Sequence, residues 1–342
     1  MRFRNADCGI EKTLIRAPSR IAGFSRFIQI GGHTMNFLIV GPGAMGCLFA
    51  GRLKKAEHQV VILDYKKERV NHINGNGISL EGVGGNFNVQ VTAVTGKPSR
   101  KFDVVLICVK AYQTDEVART LSSWLDPDVM VLTLQNGLGN LEILKKVLGN
   151  ERVLGGVTAE GATLLGPGHV RHAGRGPTII GPAGSDDGPA ANIVSAFADA
   201  GFDIRAVDGV EDLIWGKLIV NVGINALTAI TRLKNGRLPN IDGTRQVMKE
   251  AILEAVRVAD AKGIKLPFPD PIERVLEVCR GTADNIASML QDVLAQRATE
   301  ILFINGAIVS EGRRLGIPTP VNFTLSCLVE ALQDSYNEAV RV

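Results

Sequence analysis

A short apolar run, Phe37-Leu38-Ile39-Val40, stops at Gly41-Pro42-Gly43-Ala44-Met45-Gly46, and a helical pattern then continues to about Glu57. A second β-rich run, residues 59–63, ends on Asp64. Strand, glycine turn, helix and strand in this order leave few folds open, because the crossover between parallel strands is right-handed and needs a sheet to pack on. A lone Gly-x-Gly-x-x-Gly means little in a chain with 38 glycines, so its position decides its meaning. Gly41 permits a tight turn, Gly43 lets the backbone approach a pyrophosphate, and Gly46 lets the helix lie close to the strand. The helix N-terminus then offers amide donors to the anion. We therefore expect a dinucleotide site, with a purely structural glycine turn as the weaker alternative.

Asp64 at the end of the second strand would accept the adenine ribose hydroxyls of NAD and repel the extra phosphate of NADP. Lys66 and Lys67 pull the other way, since two ammonium groups just beyond the acid can hold a 2′-phosphate; alternatively they form a solvated helix start. These residues alone leave the cofactor open between NADH and NADPH.

Further along, alternating runs at 78–81 and 86–92 flank Gly82-Val83-Gly84-Gly85 and predict a hairpin. Buried strands are expected at 104–109, 129–134 and 152–157, then a glycine-rich hairpin region at 166–181, a helix at 190–200 and a strand at 203–207. After Asp208 strand signals stop, and helical periodicity predicts helices over 213–231, 245–262, 271–278 and 300–314, the last closed by Gly316 and Pro318. The fold class is thus α/β: a mostly parallel, doubly wound sheet covered on both faces, followed by an all-helical part. The expected domains are 35–207 and 208–342.

Charge and cysteine content narrow the function classes. The 38 basic and 35 acidic residues give +3, of which residues 1–34 contribute +4 (Arg2, Arg4, Lys12, Arg16, Arg20 and Arg26 against Asp7 and Glu11), leaving the rest at −1. Binding to nucleic acid through bulk charge is not expected. Residues 1–34 read as a leader from an upstream start or, less readily, as a transit peptide, and are set aside from the fold. The longest stretch without Asp, Glu, Lys or Arg, residues 27–51, contains six glycines and Pro42, so no membrane span is expected. Five scattered cysteines (Cys8, Cys47, Cys108, Cys279, Cys327) suggest a reducing, cytoplasmic setting without disulfides or a metal site.

The sharpest anomaly lies in the expected helix 215–231. Lys217, Asn221, Asn225 and Thr228 recur at steps of four, four and three on an otherwise apolar surface. A buried polar stripe needs partners or a ligand. An interhelical hydrogen-bond ladder would satisfy it, but a buried lysine usually comes with a carboxylate partner or a role in proton transfer. Glu300, at the start of a helix that Thr299 can cap, is a candidate partner.

Six segments taken together resemble the ketopantoate reductase (2-dehydropantoate 2-reductase) family: GPGAMG, VKAYQT at 109–114, QNGLGN at 135–140, WGKLIVNVGINALTAI at 215–230, NIASMLQD at 285–292 and TEILFING at 299–306. The resemblance runs from Met35 to about Tyr336. It implies an N-terminal Rossmann-type domain that binds NADPH, with a helical C-terminal domain closing over a small 2-oxo acid. By resemblance, Gly41, Pro42, Gly43, Ala44, Met45 and Gly46 cradle the pyrophosphate, and Lys110, Asn136 and Ala162 line the cofactor cleft. Lys217 matches the family's catalytic lysine, Asn221, Asn225 and Asn235 its substrate-contacting asparagines, Ser288 the serine on the substrate carboxylate, and Glu300 the glutamate near the nicotinamide. Where family members often carry an arginine for the 2′-phosphate, this chain has Tyr65 behind Asp64. The implied activity is NAD(P)H-dependent reduction of ketopantoate to pantoate in pantothenate biosynthesis. Reduction of another branched 2-oxo acid, or a non-catalytic nucleotide sensor, stays open, as does a homodimer.

Overall fold

The computed structural model describes residues 34–182, 184 and 188–338; apart from its last residue, Thr34, the expected leader lies outside them. Two compact units result. One contains the described residues up to 135 together with 140–210, and the other contains 136–139 and the chain from Glu211 onward.

The first unit is built on strands whose residues are apolar on both faces, as a covered parallel sheet demands. In chain order it comprises β1 (Asn36–Val40), α1 (Ala44–Lys55), β2 (Gln59–Leu63), α2 (Lys67–Asn76), β3 (Ile78–Gly82), β4 (Phe87–Val89), β5 (Thr92–Val94) and β6 (Val104–Ile107). A 3-10 turn (Ala111–Gln113) precedes α3 (Thr114–Ser122), β7 (Met130–Thr133), α4 (Asn140–Leu148), β8 (Val153–Thr158), β9 (Gly161–Gly166), β10 (His169–Gly174), β11 (Thr178–Gly181), α5 (Pro189–Asp199) and β12 (Ile204–Ala206). Eight strands form the main sheet in the order β12-β11-β8-β7-β6-β1-β2-β5, parallel except where β11 runs against β8. Side chains alternate between two cores: Phe37 and Ile39 pack with α1 and α5 residues such as Leu48 and Phe197, while Leu38 and Val40 pack with Ala118, Leu121 and Leu144 of α3 and α4.

A smaller sheet, β4-β3-β10-β9, lies alongside. It corrects one expectation. The run 86–92 reads as a single hairpin arm, yet only β4 pairs with β3; Thr92 crosses back to pair with Val61 of the main sheet. Period-two alternation identifies strands without saying which sheet receives them.

The second unit is helical: α6 (Glu211–Thr231), a 3-10 segment (Asn235–Asn240), α7 (Asp242–Ala261), α8 (Pro271–Gly281), α9 (Ser288–Leu294), a 3-10 turn (Ile301–Phe303), α10 (Asn305–Leu315) and α11 (Pro320–Asp334). Its core gathers around α6, with Trp215, Ile219 and Val222 packed among Ile252, Val275, Ile308 and Val329. By length and composition α6 is the one described helix apolar enough to cross a membrane, but 67% of that apolar window is buried inside the protein, as in the centre of a helical core.

Two departures from expectation concern this unit. The helix expected from residue 300 begins instead as the 3-10 turn, and Ile304, at φ −112° and ψ −92°, breaks the path before α10 starts. Thr299 Oγ1 accepts the Ile301 N–H at 3.3 Å, so it caps the short turn rather than the long helix. The periodicity of the sequence does not predict helices α9 and α11. In α11 the outer face carries half-exposed Phe323 and Leu328, which blurs the apolar period.

Candidate active site

In the first unit the glycine turn has the expected local geometry. Gly41 sits at φ +96°, a conformation costly for any other residue, and its N–H donates to Leu63 O at 3.0 Å, tying the turn to the end of β2. A Cβ on Gly46 would lie 2.1 Å from Gly41 O, so only glycine lets α1 start there. Gly43 is different: a Cβ there would meet nothing within 4 Å. Gly43 is also the N-cap of α1; no side chain caps the helix, and its first turn holds no acid. Uncapped N–H groups at the positive end of a twelve-residue helix suit an anion. The residues present therefore fit a dinucleotide pyrophosphate. Pro42 is buried and Ala44 and Met45 half-buried. Beneath the turn the Cys47 thiol donates to Pro42 O at 3.4 Å; burial pushes its pKa up to about 12, which leaves it an inert packing group.

At the end of β2 the structure adds a partner that the sequence reading missed. Asp64 is buried and both of its oxygens accept from Arg69 of α2, Nε to Oδ2 and Nη2 to Oδ1, the latter at 2.6 Å. Lys66 and Lys67 are exposed at the start of α2, with Lys66 Nζ 5.6 Å from the Tyr65 ring centre.

Lys110 is half-buried at the start of the 3-10 turn after β6. A hydrogen-bonded group fixes that loop: Gln135 Nε2 donates to Val109 O at 2.7 Å and to Thr114 Oγ1 at 3.0 Å, while Thr114 Oγ1 donates to Asn140 Oδ1 at 2.8 Å. VKAYQT and QNGLGN are thus stitched together at the ends of β6 and β7. Ala162 lies on β9 opposite His172.

In the second unit α6 presents the polar stripe. Lys217 is desolvated by the protein around its ammonium, although the residue as a whole keeps some solvent contact. Burial pushes its pKa down from 10.5 to about 8, and the nearby charge of buried Glu300 opposes that shift. The structure therefore brings Lys217 and Glu300 together. Asn221 is half-buried one turn on, and Asn225 is buried with an amide Nδ2 that finds no hydrogen-bond partner in the protein. Thr228 does not extend the stripe chemically, because its hydroxyl bonds back to Asn225 O at 2.9 Å.

Asn235 is buried in the following 3-10 segment; its Nδ2 donates to Thr282 Oγ1 at 2.9 Å and its Oδ1 is without a partner. Ser288 is exposed at the first residue of α9. Asn136 belongs to the short loop of this unit in which Gly137, at φ +86°, turns the chain and Leu138 N donates to Phe303 O at 2.9 Å. Asn136-Gly137 is thus a turn former, and it is also held against the segment that follows Glu300. Among the described residues no group of three or more His, Cys, Asp or Glu side chains could hold a metal ion.

A doubly wound sheet with an open glycine turn, joined to a helical unit carrying a desolvated lysine with partnerless amide atoms on Asn225 and Asn235, defines a dinucleotide-dependent oxidoreductase. Comparison with known proteins narrows this. The sequence profile of ketopantoate reductase PanE/ApbA matches residues 37–185, and that of its C-terminal domain matches residues 210–333. The 2-dehydropantoate 2-reductase of Halobacterium salinarum is 37% identical over 302 residues, covering 87% of this chain and 99% of that one. Its namesake in Archaeoglobus fulgidus is 36% identical over 296 residues, 86% of this chain and 97% of that one. Among solved structures, a PanE/ApbA family ketopantoate reductase from Ralstonia eutropha superposes with a TM-score of 0.82 at 35% identity, covering 89% of this chain and all of that one. A D-mandelate dehydrogenase bound to NADH and anilino(oxo)acetate gives the same TM-score and coverage at 28% identity. The chain belongs to the ketopantoate reductase family.

Proposed function

We propose that this chain reduces 2-dehydropantoate to pantoate, using NADPH in preference to NADH. The observation that carries the reading is Lys217: an ammonium on an apolar helix, desolvated to a pKa of about 8 and accompanied by Glu300. A 2-oxo acid is reduced when a hydride reaches the carbonyl carbon and a proton reaches its oxygen. The bound nicotinamide supplies the hydride. Lys217, protonated at neutral pH, hydrogen-bonds the carbonyl oxygen, stabilises the charge that develops there and gives up the proton. Glu300 holds the ammonium in place and keeps its pKa from falling further. Asn221, Asn225, Asn235 and Ser288 offer amide and hydroxyl groups to the substrate's carboxylate and hydroxyl, binding it without a further cation.

On the cofactor side, Gly41 to Gly46 hold the pyrophosphate, Lys110, Asn136 and Ala162 border the cofactor, and Lys66 with Lys67 supplies positive charge for a 2′-phosphate. In this reading residues 35–207 form the cofactor domain and 208–342 the substrate domain.

The test is absorbance at 340 nm with NADPH and NADH in parallel against ketopantoate, 2-oxoisovalerate and an aromatic 2-oxo acid. The third substrate is included because the D-mandelate dehydrogenase above shares the fold. The expected result is the highest kcat/KM for ketopantoate with NADPH. Faster turnover of the aromatic acid would move the chain to another substrate class, and no turnover of any oxo acid would remove the reductase reading.

A further inference from the structure

We propose that Arg69 sets the cofactor preference of this chain by cancelling the charge of Asp64, so that an acid which would otherwise repel a ribose 2′-phosphate no longer does. The proposal rests on the reading above that the glycine turn holds a dinucleotide. In a doubly wound sheet the residue ending the second strand faces the adenosine ribose, and a bare carboxylate there selects the diol of NAD. Asp64 occupies that place: Leu63, its neighbour, receives the Gly41 N–H, and its own N–H donates to Val94 O at 3.0 Å, which fixes the backbone at the end of β2.

The carboxylate is not bare. Its side chain is 1% exposed and that of Arg69 is 24% exposed, and the guanidinium meets it through two parallel N–H···O bonds. A bidentate pair of this kind occupies one lobe of each oxygen and neutralises the acid where solvent cannot. The guanidinium, not the carboxylate, is the member of the pair that reaches solvent. Beyond it stand exposed Lys66, Lys67 and Glu68. With Asp64 and Arg69 cancelling, the rim carries a net positive charge, which favours an added phosphate over a diol. An aspartate that reads as a signature of NAD in the sequence is thereby converted into part of a phosphate-tolerant rim.

The experiment measures binding without turnover, by calorimetry of 2′,5′-ADP and of 5′-ADP to the full chain and its variants, with thermal melts run beside each. Wild type should bind 2′,5′-ADP the more tightly. Arg69→Met leaves a carboxylate facing the phosphate and should weaken 2′,5′-ADP by about tenfold to a hundredfold, the size of one lost charged contact, while 5′-ADP, whose diol the bared carboxylate can accept, should bind as before or more tightly. Adding Asp64→Asn to Arg69→Met should recover much of the loss, because the repelling charge is gone. Asp64→Asn alone frees the guanidinium and should tighten 2′,5′-ADP, which keeps the test decisive if Arg69→Met folds poorly. Equal losses for both nucleotides, or no recovery in the double variant, would overturn the proposal. Failure of wild type to bind either nucleotide would instead remove the dinucleotide reading beneath it.

Discussion

Asn305 Nδ2 reaches the carbonyl oxygen of Val222 at 3.3 Å and the Oδ1 of Asn322 at 3.0 Å, so one side chain of α10 ties the middle of α6 to the first turn of α11. The chain of contacts continues inward. Asn322 Nδ2 donates to Ala251 O and to Glu254, and the Glu254 carboxylate also accepts the N–H groups of Val321 and Asn322. A buried acid on α7 thus caps α11, where the helix dipole favours it. Val222 lies between Asn221 and Asn225, so this network fixes the part of α6 that displays the polar stripe.

Removing Asn322 should therefore cost stability more than chemistry. Asn322→Leu leaves the Glu254 carboxylate with fewer donors in a dry interior, and the expected loss is about 1–3 kcal/mol in denaturant unfolding. A midpoint unchanged from wild type would mean that the network is dispensable.

Two glycines of the turn, Gly43 and Gly46, should separate by role. Gly43 has φ −73°, acceptable to any residue, and room for a methyl group, so Gly43→Ala should change unfolding stability by less than about 0.5 kcal/mol. Its dinucleotide affinity should nevertheless fall roughly tenfold or more, since the methyl stands where the pyrophosphate must approach the backbone. Gly46→Ala forces a Cβ to 2.1 Å from Gly41 O and should cost about 1–3 kcal/mol in the fold itself. Melting curves beside cofactor titrations distinguish the two, and a strongly destabilised Gly43→Ala would count against the functional role.

Lys217 makes a pH prediction. Its pKa is lowered to about 8, so the ammonium is present below that value and lost as pH rises through it; the rate of keto acid reduction should fall above pH 8. The charge of Glu300 raises the Lys217 pKa, hence Glu300→Gln should move this limb of the pH profile to lower pH. Lys217→Ala should lower turnover by roughly 10²- to 10⁴-fold with cofactor binding retained. An alkaline limb that stays in place in Glu300→Gln would show that another group sets it.

Legibility in the sequence followed the range of the interactions. The glycine turn could be read because its demands are local: Gly41 needs a positive φ and Gly46 a close approach, and both requirements are written at single positions. The stripe of Lys217, Asn221 and Asn225 could be read because four-residue spacing repeats on one helix face. The pairing of Arg69 with Asp64 is not legible in the sequence, since a strand end and a helix residue five positions on meet only after the chain turns between them. The links from Val222 to Asn305 and from Glu254 to Asn322 span more than sixty residues and obey no period at all. Thr228 shows the reverse error: spacing placed it in the stripe, while its hydroxyl had a local acceptor in Asn225 O.

Asn225 gives the clearest separation of binding from folding. Its amide is buried, its Nδ2 has no partner in the protein, and Thr228 already occupies its backbone carbonyl. A buried donor without an acceptor costs stability, about 1–3 kcal/mol for such a group, so a fold that keeps one in a helix core sacrifices stability at that position. Asn225→Leu has similar volume and removes the donor. It should leave unfolding stability unchanged or raise it by up to about 1 kcal/mol. If the amide serves the substrate, the same substitution should raise KM for ketopantoate by about tenfold to a hundredfold, and should lower kcat much less, because the contact is made in ground and transition states alike. A variant that lost stability while keeping its KM would show instead that Asn225 holds the helices together, and the stripe would shorten to Lys217 and Asn221.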